Sequence, residues 1–373
     1  MTEFATNLGV SAGLLLLFTW VGYPILIHVL AQLFPRIGRE ARSCNSPAVS
    51  VILASRGPAD VVARRIANLK ETDYPADRYE IVIGIDASAE WSLEGIRSEG
   101  GPPVRVVRAQ GEAGKPNALN AAVGVANGDV LVFADSAQGF EPDAIPELVQ
   151  CLDDPRFGAV SGQLTLSAGQ MRRLVGWYWR MERQLRASEA RLHSSVGVTG
   201  AIYAMRRELF SPLPSGTLLD DLYTPMRVVM RGFRVGFTDR ARATDAREFS
   251  VSDEKRRKER TLTGVLQLCS QMPAILNPLR NPIWLQFVFH KLMRLASPLL
   301  LLAMIPALLV AATRVHRLLR PGAAFSLWVT VAVALLALLV LPRGRSALRE
   351  FFSMNLAVLR AISRGLRGDW DVW

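Results

Sequence analysis

The sequence predicts an α/β fold on a mostly parallel sheet, carrying membrane helices at both ends, and three observations lead there. Between residues 49 and 164, short β-branched runs alternate with helical patterns, the order that builds parallel sheets covered by helices. Half of the 373 residues are hydrophobic and the mean hydropathy is +0.20, which apolar segments added to an ordinary domain explain better than a greasy core does. Two aspartates, Asp86 and Asp135, end strand-like runs, and ligands of such sheets bind outside the carboxyl ends of the strands.

In chain order, residues 13–34 contain no Lys, Arg, Asp or Glu and would reach about 33 Å as a helix, enough for a bilayer core. Glu3 precedes this run and Arg36, Arg39 and Arg42 follow it, so residues 1–36 are expected to form an uncleaved anchor whose C-terminal side faces the cytoplasm. Residues 46–270 are expected to form the cytoplasmic domain. Its strand-like runs are VSVILA, YEIVIGID, VRVVRA, DVLVFAD and GAVSGQL, and its helical runs are ADVVARRIANLK, KPNALNAAVGVA and PDAIPELVQCL. Residues 280–373 are expected to hold interfacial helices and two further spans, at 296–313 and 321–342. Before the first of these, WLQFVFHKLMRL mixes aromatics with Lys291 and Arg294, which suits a helix lying at the interface. The basic loop RVHRLLR between the two spans is the one feature that resists this topology, since it would face outward.

Charge and cysteine usage narrow the function. The 44 Lys and Arg outnumber the 33 Asp and Glu, but no helix-turn-helix, zinc-finger or aromatic RNA-binding signature accompanies the excess, so it suits a membrane surface rather than nucleic acid. Cys44, Cys151 and Cys269, and His28, His193, His290 and His316, are scattered without metal-ligand spacing. No phosphate-binding G-x-x-x-x-G-K-[ST] or G-x-G-x-x-G follows the first strand, which disfavours nucleoside-triphosphate and dinucleotide sites. Either strand-end acid alone would serve equally as a turn former or helix cap. Two acids in one sheet can hold a divalent cation or a ribose, and a sugar nucleotide supplies both ribose and phosphates.

Five segments, VSVILASRG, EIVIGIDAS, GKPNALNAA, VLVFADSAQGFEPDAI, and VTGAIYAMRRELF followed by LLDDLYTPMRVVMRGFRVGF, resemble in order and spacing the membrane-embedded family 2 glycosyltransferases, the group of the cellulose and hyaluronan synthases. The resemblance implies a GT-A fold and an inverting transfer from a nucleotide sugar, a UDP-sugar first of all, to a glycan or lipid acceptor, in exopolysaccharide or glycolipid synthesis at the inner membrane. It implies that Asp86 contacts the nucleoside, that Lys115 lies near the donor, and that Asp135 begins the D-x-D motif holding Mg²⁺ or Mn²⁺. Thr199, Gly200 and Ala201 would line the sugar and acceptor pocket together with Asp220. Asp221 would be the catalytic base, taking the proton of the acceptor hydroxyl. Arg260, in RKERTLTG, would stabilise the diphosphate.

The departures from the family pattern are as specific as the matches. Ala137 replaces the second D-x-D aspartate, Thr261 the aromatic of Q-x-x-R-W, and Arg56-Gly57 the usual Asn-Glu. Losing the aromatic removes a sugar-stacking platform, which favours a single addition, or work with partner subunits, over a processive polymerase. The rival reading is a weakly catalytic scaffold subunit of a polysaccharide synthesis or export complex. Retention of Asp86, Asp135, Asp221 and Arg260 argues for the enzyme. Trp177, Arg180, Met181 and Gln184 share one face of the helical run 171–192, a spacing typical of packing or interface anchors.

Overall fold

The computed structural model describes residues 2–35, 46–90, 100–166, 173–245, 247, 251–320, 322–323, 326–327, 329–331, 339 and 341–370. The chain forms two compact units: Leu26–Glu254 with Gln267–Gln286, and Met1–Ile25 with Lys255–Leu266 and Phe287–Trp373.

The first unit is built on an eight-stranded sheet of order β3-β2-β1-β4-β7-β6-β8-β5. Its strands are β1 (Val49–Ser55), β2 (Tyr79–Ile85), β3 (Val104–Arg108), β4 (Val130–Asp135), β5 (Gln138–Phe140), β6 (Phe157–Leu166), β7 (Ile202–Arg206) and β8 (Arg234–Asp245). All of the expected strands form. β1, β2 and β4 are nearly continuous apolar runs and almost wholly buried, as strands covered on both faces must be. They pair in parallel, with Val49 opposite Tyr79 and Val130, and Ala54 opposite Asp135. β3 adds to β2 in parallel and β6 pairs in parallel with β8, whereas β7 runs antiparallel between β4 and β6, and β5 antiparallel to β8. The antiparallel part goes beyond the strand–helix alternation of residues 49–164, because β7 and β8 lie downstream of that pattern.

The helices of this unit are α3 (Ala59–Lys70), α4 (Lys115–Val125), α5 (Ala144–Cys151), α6 (Arg173–Leu192) and α7 (Asp220–Met230). α3 and α5 bury Val62, Ile66, Leu69, Ile145 and Leu148 in one cluster with Val51, Leu53, Ile81, Ile83 and Val132 of the sheet. α4 starts directly after Gly114, whose φ of +147° is a conformation that L side chains rarely adopt. The Gly-Lys-Pro order therefore sets both the turn and the helix start, proline being tolerated where no intrahelical N–H is needed.

In the second unit, α1 (Thr2–Leu17), a π-helical turn (Phe18–Gly22) and α2 (Tyr23–Leu33), which runs on beyond the unit's boundary, form one helical run. The stretch Glu3–Leu33 is long and apolar enough to cross a membrane. So is Trp284–Leu318, in which α9 (Trp284–Phe287), a second π turn (Val288–Leu292) and α10 (Met293–Leu318) are continuous. The expected interfacial helix is thus the first part of this long helix, because no break intervenes before Pro298. Phe289 stacks on Tyr23 at 5.7 Å and meets Phe18 edge-on at 5.0 Å, and the indole of Trp20 donates to Ser297 Oγ at 3.0 Å. Leu8, Leu14, Leu17, Leu299, Leu302 and Leu308 remain exposed. α8 (Val251–Gln271) carries Arg260, and the amphipathic α11 (Pro342–Arg367) closes the described chain. The expected span at 321–342 lies largely outside the described residues, as do Arg36, Arg39 and Arg42.

Candidate active site

Asp86 follows β2 and Asp135 ends β4, so both stand at carboxyl ends of parallel strands. Asp86 is buried and held by its surroundings. Its Oδ1 accepts from the backbone N–H of Ser88 at 2.9 Å and from Ser88 Oγ at 2.6 Å, and its Oδ2 accepts from the N–H of Gly114 at 2.7 Å. Burial pushes its pKa up, but these three bonds and the charge of Arg56 outweigh burial and hold it below the usual aspartate value. The carboxylate is therefore ionised, oriented and still able to accept further bonds, a carboxylate having about four lone-pair sites.

Lys115, the first residue of α4, reaches across to the other acids. Its Nζ lies 3.0 Å from Asp135 Oδ1 and 3.1 Å from Asp220 Oδ2. Burial disfavours the ammonium, but the two carboxylates prevail and keep its pKa above the ordinary lysine value. The Lys115 and Asp135 side chains retain 30% and 35% exposure, so a ligand can reach this pair.

Asp220 and Asp221 open α7, where negative charge is favoured by the helix dipole. Leu219 precedes them as a non-helical residue whose side chain makes no capping bond. The Asp221 carbonyl accepts from the N–H of Val198 at 2.9 Å, which ties α7 to the Thr199-Gly200-Ala201 loop. A Cβ on Gly200 would come within 3.2 Å of Asp221 Cβ and 3.4 Å of its Oδ2. Glycine thus lets the loop backbone lie against the acid. Thr199 is fixed from both sides, its N–H donating to Ser161 Oγ at 2.9 Å and its Oγ1 accepting from Arg186 Nη1 at 3.0 Å. Beneath the acids, buried Tyr203 stacks on Phe133 with centroids 4.5 Å apart. Burial first, and then the Asp220 and Asp221 charges, raise its pKa well above the ordinary phenol value.

The structure thus brings Lys115, Asp135 and Asp220 into direct contact, and Asp221 against Gly200. Arg260 belongs to the other compact unit. Thr261, in place of the family aromatic, is exposed and bonds its own helix through the Arg257 carbonyl at 2.8 Å.

Several neighbours of the site carried no sequence signal. Arg65, on the buried face of α3, donates to the Asp135 carbonyl at 3.2 Å and lies 4.2 Å over the Phe140 ring; the run ADVVARRIANLK reads as a plain amphipathic helix. Gln138, beside the altered motif, donates to Asp245 Oδ2 at 2.8 Å, and Asp245 is paired with Arg247 at 2.8 Å. No group of three or more His, Cys, Asp or Glu with metal-binding geometry occurs among the described residues. Fewer than three of these side chains would thus hold a divalent cation here, which leaves coordination positions for phosphate, an arrangement common for Mg²⁺.

Comparison with known proteins bears on the family and the fold. Residues 50–213 match the glycosyl transferase family 2 domain, and residues 132–341 match glycosyl transferase family group 2. A β-monoglucosyldiacylglycerol synthase of Synechocystis sp. is 25% identical over 54% of this chain and 44% of its own length. An N-acetylglucosaminyltransferase of Rhizobium meliloti is 26% identical over 45% of this chain and 41% of its own. The matches thus span less than half the length of these curated relatives. A mannosyltransferase of Pyrobaculum calidifontis, solved with GDP-Man and Mn²⁺, superposes with a TM-score of 0.71 at 23% identity, covering 96% of this chain and 99% of that one, which shows a shared fold. With a family match over more than half of its length, this chain belongs to the family 2 glycosyltransferases.

Proposed function

We propose that the protein is an inverting transferase that moves one sugar from a nucleotide-sugar donor, UDP- or GDP-linked, to a glycan or lipid acceptor at the cytoplasmic face of the inner membrane. The observation that carries this reading is the Lys115 ammonium held between Asp135 and Asp220 at the strand ends, with Asp221 next along α7. In this reading, residues 46–270 form the catalytic domain, with membrane segments at 1–36 and 280–373. The two apolar helices support membrane attachment.

Asp86 would receive the nucleoside, its fixed carboxylate accepting from ribose hydroxyls. Lys115 would turn from Asp220 toward the donor diphosphate. Thr199, Gly200, Ala201 and Asp220 would shape the pocket for sugar and acceptor. Asp221 would take the proton of the acceptor hydroxyl as its oxygen forms a bond to the anomeric carbon. The bond from that carbon to the diphosphate breaks on the opposite face, and its electron pair leaves with the nucleoside diphosphate. Mg²⁺ or Mn²⁺ held by Asp135 and the donor phosphates would, when bound, supply further charge to the leaving group.

The test is nucleotide release from a panel of UDP- and GDP-sugars by the full chain in nanodiscs, with Mg²⁺, Mn²⁺ or chelator. Asp221→Asn is expected to lower release by roughly 100-fold or more, the scale of general-base catalysis, while nucleotide binding persists. Release from wild type that the substitution leaves unchanged would remove Asp221 from the base role, and release indifferent to chelator would remove the metal.

A further inference from the structure

One face of α6 holds a feature that the transfer chemistry above does not use. Arg180, Arg183 and Arg186 recur every three residues, so their side chains fall on one side of the helix, and all three line a cavity of about 90 Å³ closed by β6, β8 and Thr199. Among the described residues its wall contains no carboxylate. No ion pair to any of the three guanidinium groups occurs among the described residues. Arg186 gives one Nη1 bond to Thr199 Oγ1, and its Nε is buried with no hydrogen-bond partner. A buried donor left in that state is unfavourable, and cations that share one wall repel one another. Both costs disappear when an anion enters. Guanidinium forks match phosphate oxygens in pairs, while Trp179, Leu164 and Phe237 on the same wall offer apolar surface to whatever carries the anion.

The cavity shares Thr199 with the proposed acceptor side of the site. Thr199 forms part of its wall, and the next residue, Gly200, packs on Asp221. Resting on the transferase reading above, we infer that this groove seats a phosphate group of the acceptor, whose apolar body lies on Trp179 and Phe237 and whose hydroxyl is thereby presented to Asp221. The arginines then act as specificity-determining residues, selecting phosphate-bearing acceptors over neutral ones.

The experiment titrates dodecyl phosphate, dodecyl glucoside and inorganic phosphate into the full chain in phosphatidylcholine nanodiscs by calorimetry, without donor. Dodecyl phosphate is expected to bind at least tenfold more tightly than either of the others. Arg183→Gln with Arg186→Gln is expected to erase that preference and to leave UDP and GDP binding unchanged. Arg183→Lys, which keeps the charge without the fork, should retain part of the preference and guards against simple misfolding. Equal binding of dodecyl phosphate and dodecyl glucoside, or a preference that survives the double substitution, would overturn the inference. Inorganic phosphate binding as tightly as dodecyl phosphate would overturn the assignment to an acceptor, since a free anion would then suffice. Because the titration needs no donor, its result is independent of nucleotide release. Lost phosphate preference beside intact release sinks this inference alone, whereas absent release beside intact preference sinks the transferase reading and, with it, the assignment of the bound phosphate to an acceptor.

Discussion

The two strand-end aspartates are held in opposite ways. Asp86 is 4% exposed and fixed by the backbone N–H groups of Ser88 and Gly114 and by the Ser88 hydroxyl. Asp135 is one-third exposed, and its side chain answers to a lysine on a flexible stem that also serves Asp220. The first arrangement presents a ready carboxylate at no reorganisation cost. The second is a charge pair that a diphosphate can rearrange, since an ammonium moves between acceptors as a point charge. A site that must grip one part of a donor and expel another has use for both.

Breaking the exchangeable pair is the most severe test of that contrast. Lys115→Met leaves Asp135 and Asp220 without their shared cation and, in the proposed reading, removes a positive charge from the diphosphate, and is expected to reduce nucleotide release by roughly 100-fold in a steady-state assay. Activity near wild type would make the lysine a bystander. Next is Asp86→Asn, which keeps the shape but removes the charge. It should raise KM for the donor by about tenfold, the scale of one charge-assisted hydrogen bond of about 1.5 kcal/mol, with a smaller change in kcat. A loss confined to kcat would contradict the nucleoside role.

Gly200→Ala probes the close approach beside Asp221. The added Cβ would sit 3.2 Å from Asp221 Cβ, so the acid must shift by tenths of an ångström, and kcat is expected to fall several-fold with Tm nearly unchanged. A fully active variant would show that Asp221 has room to spare. The smallest effect concerns acid stability. Asp86 has a folded pKa below its unfolded one, so its contribution is present above the unfolded value of about 3.9 and is lost as pH falls through the lowered folded value. Thermal melts of wild type should therefore steepen their decline below about pH 4, and Asp86→Asn should flatten that decline by a few degrees in Tm.

Much of this arrangement was legible in the chain. The strand runs at Val49, Tyr79 and Val130, and the acids ending two of them, follow from local alternation, because a strand buried on both faces must be apolar and its end is where polarity returns. Lys115 stood out only through the resemblance of GKPNALNAA to the family segment. The ion pair from Lys115 to Asp220 was not legible, because 105 positions separate the two residues and α7 approaches α4 only through the folding of the sheet. Arg65 was hidden for a related reason, since its partner is a backbone carbonyl, which carries no residue identity. Gln138 was hidden likewise, because its partner, Asp245, lies 107 positions away along the chain.

By itself the sequence determined the alternation of strands and helices between residues 49 and 164, apolar segments long enough to cross a membrane and the chemical types available at two strand ends, all properties of neighbours along the chain. Only the tertiary structure decided which of those groups meet: Lys115 with both acids, Gly200 against Asp221, and three arginines of α6 around a cavity that ends at Thr199. The reason is physical. Periodicity and turn chemistry act over a few residues, whereas charge pairing and close packing depend on distances in space, set jointly by the whole sheet.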